Sequence, residues 1–190
     1  MAERNRNLRE DLIQAGIDEI NANGANGFSV RRVAEACHVS SAAPYKHFKD
    51  KKAFVAAIIE HVNAQWAVAQ DEIIASCGDH PRELMVEVTT GYLKFLMEHP
   101  HYRQILMLKN ADFDNHYHRK HGEINSRTEQ IMASVRKYYN LSDEVWRRKC
   151  LMFRSILFGA VIMFDSGEFT YNEDTLNDLH YVFNREFEIP

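Results

Sequence analysis

Between positions 40 and 52 the chain gathers side chains suited to one chemistry. Ser40, Ser41 and Tyr45 carry hydroxyls, His47 an imidazole, and Lys46 an ammonium group, all able to donate hydrogen bonds to anionic oxygen. Ala42 and Ala43 lie among them, small enough to allow close approach and bearing methyls that can meet the methyl of thymine. Lys49, Lys51 and Lys52 follow where a long helix is expected to begin, and a helix start adds partial positive charge and free N–H groups of its own. A short charge run is usually just a solvated face. Its place directly behind a short polar helix favours phosphate instead.

The flanking pattern shows what must position these groups. Ile13, Gly16, Ile17 and Ile20 recur at helical spacing, and Asn23-Gly24 is a stop signal. Ser29 is suited to cap a second, short helix whose apolar side is Val30, Val33, Ala34 and Cys37. His38-Val39-Ser40 reads as a tight turn, and a third, very short helix is expected from about Ser41 to Phe48. A fourth helix carries a continuous stripe of Phe54, Ile58, Val62, Trp66, Ala69 and Ile73. Two short helices joined by a tight turn form the helix-turn-helix layout, in which the second helix lies in the major groove of DNA. Spacing places Val33, Ala34 and Phe48 in the core, whereas Tyr45 divides between core filler and phosphate contact.

The rest of the chain also reads as helix, so the fold class is all-α. Cys77-Gly78-Asp79-His80-Pro81 is a break, and helices are expected over 82–98, 101–109, 124–139, 143–164 and 175–187. This organisation suggests a DNA-binding domain over residues 1–52 and a larger helical domain over 53–190. The longest apolar run, Ile156 to Phe164, is far shorter than the roughly 20 residues of a bilayer span. It is apolar on every face and must be covered by protein, with a partner subunit as the source of cover. Leu176, Leu179, Val182, Phe183 and Phe187 form a stripe suited to the same seam.

Composition agrees with this organisation. Net charge is −4, but residues 1–55 carry nine Lys/Arg against seven Asp/Glu, a balance of +2 that leaves −6 on the remainder. A basic head on an acidic body suits a chain that meets phosphate at one end. Three dispersed cysteines and a charged, polar N-terminus point to a soluble protein of the reducing cytoplasm, with no membrane partner. His99, His101, His116, His118 and His121 with Asp112 and Asp114 hold enough donors for a metal, but no ligand-type spacing is present, so neither metal nor cofactor is expected. No nucleophile–base pairing supports an enzyme.

The run from Ser29 to Phe54, and above all Tyr45-x-His47-Phe48-x-x-Lys51 behind Val33-Ala34 and Val39-Ser40, resembles the N-terminal domain of the tetracycline-repressor (TetR) family of bacterial regulators. The close resemblance covers about Leu8 to Val62. A weaker one, through Gly91-Tyr92, Phe95, His99-Pro100, Tyr102-Arg103 and Phe158-Gly159, is to a C-terminal subgroup. The resemblance implies a homodimer on a double-stranded, pseudo-palindromic operator, released when a small-molecule effector binds the C-terminal domain. By position it assigns Ser40, Ser41, Ala42, Ala43, Tyr45, Lys46, His47 and Lys51 to DNA, with Ser29 and Arg31 near its backbone. It also implies a dimer seam from the last two helices, through Ile156, Phe158, Gly159, Ile162, Met163, Leu176, Leu179 and Phe183. Two positions depart from the family pattern: His38 stands where Gly is typical, and Pro44 where Leu or Ile is usual.

For the effector, Trp66, Tyr92, Phe95, Met107, Tyr138 and Phe153 are candidate wall residues, although each is individually more in keeping with plain core. Such an interior suits an apolar or aromatic ligand. The competing readings are a helical metalloenzyme using the His/Asp stretch, and an interaction protein that kept the fold but lost operator binding.

Overall fold

The computed structural model describes residues 2–78, 80–106 and 126–188. Among the described residues all regular structure is helical. The helices are α1 (Ala2–Gly27), α2 (Val30–Ala36), α3 (Lys51–Ser76), α4 (Pro81–Glu98), α5 (Pro100–Leu106), α6 (Ser126–Tyr138), α7 (Asp143–Ser166) and α8 (Glu173–Glu186), with a single 3-10 turn at Pro44–Lys46.

Local chemistry accounts for most of the boundaries. Helical geometry in α1 is interrupted at Gly24 (φ 69°, ψ 167°), a conformation open to glycine and costly for residues with a Cβ, as the Asn23-Gly24 signal implied. The Ser29 hydroxyl accepts the Arg32 N–H at 3.4 Å and caps α2. Ser142 and Asn172 cap α7 and α8 in the same way, and Gly167 ends α7 in the left-handed region. Pro100 opens α5, where a missing N–H is harmless.

The third element is shorter than expected. Pro44 has no N–H to give the Ser40 carbonyl, so that rung of an α-helical ladder is missing. Ala43 N–H donates to Ser40 O at 2.9 Å and Lys46 N–H to Ala43 O at 3.1 Å, which is the tighter 3-10 pattern.

Within the described residues the chain forms two compact units, 2–65 with 99–106, and 66–98 with 126–188. The first therefore reaches past residue 52. Phe54, Val55, Ile58 and Val62 of α3 fill its core together with Leu12, Ile13, Ile17 and Ile20 of α1, Val30 and Val33 of α2, and Ile105 of α5, which packs on α1. In the second unit α4 packs against α6, α7 and α8. Its core includes Met85, Leu93, Leu96, Val135, Leu157, Val161 and Phe183. Among the described residues no helix is long and apolar enough to cross a membrane.

Candidate nucleic-acid interface

The turn after α2 is built on His38, whose φ of 55° places it in the left-handed region. His38 N–H donates to Glu35 O and Val39 N–H to Ala34 O, both at 3.0 Å, so the helix is closed off and the chain redirected within three residues. Beyond it the segment sorts its side chains cleanly. Pro44 and Phe48, four apart, are buried, and Phe48 stacks on Phe54 of α3 with centroids 4.0 Å apart and planes at 6°. Phe28 meets the edge of Phe54 at 5.5 Å, completing an aromatic triad beneath the segment. Ser40, Ser41, Ala42, Tyr45 and Lys46 are thereby turned to solvent, with Tyr45 54% exposed. Lys49, Lys51 and Lys52 are exposed just after it. Asp50 accepts the Ala53 N–H at 2.8 Å and so caps the start of α3.

Not every expected contact residue is equally available. Ala43 is half-buried. His47 is half-buried too, with its Nε2 enclosed and without a hydrogen-bond partner. Arg31 is exposed, but its Nε donates to Glu35 at 2.9 Å, and that pairing pushes the guanidinium pKa up. Ser29 spends its hydroxyl on the helix cap and its N–H on Glu19, 3.1 Å away. Lys51 lies with Nζ 5.9 Å from the Phe28 ring centroid.

Glu19 is the residue that sequence patterns miss. Its carboxylate accepts the Ser29 N–H and both Nε and Nη2 of Arg32, while the same Nη2 donates to Gly27 O. This clamp ties α2 to α1 across 13 residues of sequence, a separation at which no local periodicity gives warning. Hydrogen bonding to Glu19 raises the Arg32 pKa.

In the second unit, Trp66 meets Tyr92 edge-on at 4.9 Å and Phe95 at 5.5 Å, bringing together three of the candidate effector residues. Burial pushes the Tyr92 hydroxyl up to about 12, against a smaller opposing pull from Arg154. Phe153 packs instead on Phe183 and Phe187, at 5.3 Å from each. Tyr138 does not line the interior: it is 59% exposed, near the end of α6, against the rings of His80 and Tyr139. Met107 lies outside the described residues, as do His116, His118, His121, Asp112 and Asp114. Among the described residues no three His, Cys, Asp or Glu side chains come together as a metal site.

The expected seam residues divide. Ile162 is 60% exposed, and Ile156, Phe158, Gly159, Met163, Leu176 and Leu179 are partly exposed. A Cβ built on Gly159 would meet open space. Phe183 requires correction, because it is 0% exposed within the single chain, where Phe153 packs against it, and has no surface left for a partner. Leu151, Met152 and Tyr181, not anticipated from the stripe, are exposed apolar side chains on α7 and α8.

Residues 12–58 match the family model described as bacterial regulatory proteins, tetR family. No curated protein matches the chain in sequence. Among solved structures, the chain is similar to a TetR family transcription regulator from Marinobacter aquaeolei VT8, with 16% identity, TM-score 0.75, and coverage of 98% of both chains. It is also similar to a putative tetR family transcription regulator from Shewanella sp. PV-4, with 12% identity, TM-score 0.73, and coverage of 93% of this chain and 96% of that one. A third is the transcriptional regulator FadR from Bacillus subtilis in complex with stearoyl-CoA, with 15% identity, TM-score 0.68, and coverage of 94% and 95%. At these identities the likeness is one of fold.

Proposed function

We propose, from the premise that this chain belongs through its N-terminal domain to the tetR family of bacterial regulatory proteins, that it is a cytoplasmic repressor that binds a pseudo-palindromic operator as a homodimer and leaves it on binding a small-molecule effector. The observation that carries the reading is the sorting of residues 40–48. Pro44 and Phe48 anchor the segment, and the hydroxyl and cationic groups of Ser40, Ser41, Tyr45 and Lys46 are left facing outward. Hydroxyls and ammonium groups on a solvent-exposed segment suit phosphate oxygens, and the exposed methyl of Ala42 suits a base edge. Lys49, Lys51 and Lys52 extend the same positive edge.

A second copy is the partner that the exposed apolar side chains of α7 and α8 call for, since Leu151, Met152, Ile162 and Tyr181 lie open in the single chain. The effector is an apolar-tailed molecule held by the second unit, with Trp66, Tyr92 and Phe95 as its aromatic neighbours. The solved FadR complex holds stearoyl-CoA, which makes long-chain acyl-CoA a fitting first compound to try.

Selection of bound sequences from a random duplex pool tests the reading. The expected outcome is a two-fold symmetric motif whose half-sites lie a turn or a multiple of a turn apart, with binding lost in Tyr45→Ala and Lys46→Ala. Recovery of no motif, together with unchanged duplex affinity in both variants, would remove the assignment. Stearoyl-CoA should raise the thermal midpoint of the free protein and lower its affinity for the selected duplex, whereas CoA alone should do neither.

A further inference from the structure

The cations of the first unit fall into two groups. Arg31 and Arg32 each pair with a carboxylate, Glu35 within the same helix and Glu19 of α1 respectively. Arg9 of α1 is different: its guanidinium carbon lies 5.5 Å from the centroid of the Phe48 ring, and it has no carboxylate or hydrogen-bond partner among the described residues. Phe48 closes the exposed segment and is followed directly by the exposed Lys49. A guanidinium lying over an aromatic ring is held in place, yet its planar fork of N–H donors remains free to bind a phosphate at two points. The Phe48–Phe54–Phe28 triad thus carries a cation at each end, Arg9 over Phe48 and Lys51 over Phe28.

We infer that Arg9 is a further phosphate contact of this interface, gripping the DNA backbone beside Lys49, and that Phe48 is the platform that orients it. The inference rests on the proposed DNA-binding function and adds a contact from α1, outside the helix-turn-helix segment.

The test is the salt dependence of binding by the full chain to a short mixed-sequence duplex, which requires no knowledge of the operator. Each phosphate contact contributes about 0.9 to the slope of log K against log salt. Arg9→Gln is expected to lower that slope by about 0.9 and weaken binding several-fold at low salt, while Arg9→Lys retains most of the slope. Arg147→Gln, which removes an exposed charge from α7, controls for net charge and is expected to leave the slope unchanged. Far-UV circular dichroism and thermal midpoints establish that each variant is folded. A role confined to packing on Phe48 would alter the midpoint but not the slope. Wild-type binding with an unaltered slope in Arg9→Gln overturns the inference and leaves the proposed function standing. Failure of the wild-type chain to bind duplex at any salt concentration overturns both.

Discussion

His38 shows how a single residue can be legible in the sequence and still costly. It sits at φ 55° where glycine would be unstrained, and the left-handed region costs an ordinary residue on the order of 1–2 kcal/mol. Part of that is offset because glycine loses more freedom on folding. His38→Gly should therefore raise stability by about 0.5–1 kcal/mol in denaturant titration, with the helix-turn-helix geometry retained. Glu19 and Glu35 provide a second comparison, since each carboxylate serves an adjacent arginine. Glu35 holds only an exposed partner one turn away, whereas the nearly buried Glu19 also receives the Ser29 N–H. Glu19→Ala is expected to lower the thermal midpoint clearly, and Glu35→Ala to leave it nearly unchanged. Tyr92 makes a prediction about pH. Its folded pKa of about 12 stands above the ordinary phenol value of 10.0, so the native state holds its proton through a range where the unfolded chain has lost it. The stability from this group is present below pH 10 and is lost as pH rises through the folded value, at about 1.4 kcal/mol per unit. Ultraviolet absorbance of the phenolate in the native protein should show a component titrating near pH 12 that disappears in Tyr92→Phe.

At the scale of the element, periodicity and capping carried most of the information. The Ser29 cap, the stop at Gly24 and the stripe on α3 all lie within one or two turns of the residues they govern, so a local reading was enough. The third element failed that reading. Pro44 removes one N–H from the expected helix, and a 3-10 turn stands there instead. The aromatic triad beneath that turn lay outside local reading too, since Phe28 and Phe48 come from two different connectors and Phe54 from α3. Its value follows from burial: Phe54 is fully enclosed and carries both other rings. Phe54→Ala should cost about 3–5 kcal/mol in stability. It should also abolish duplex binding at temperatures where the second unit still gives a helical circular dichroism signal.

At the scale of the whole molecule, the apolar run of α7 was recognisable from sequence as a helix needing cover on every side, but the sequence did not say which side its own chain would supply. Leu157, Ala160, Val161 and Phe164 are covered within the chain, whereas Leu151, Met152 and Ile162 are not. The proposed homodimer follows from that remainder. Ile162→Asp should yield a folded monomer by light scattering, because its side chain is already open in the single chain. Phe183→Asp should fail to fold, because it would place a charge in a closed core. A dimer that survives Ile162→Asp would move the seam elsewhere. The sequence alone determined the all-α class, the helix-turn-helix and the polar set between 40 and 51, because helix periods, caps and turns are written in neighbouring residues. Only the tertiary structure decided that Phe183 faces inward, that Tyr138 faces outward, that Arg32 is clamped by Glu19 and that Arg9 rests on Phe48. Those outcomes depend on pairings between distant segments, and the strength of such contacts is set by three-dimensional distance, which spacing along the chain does not encode.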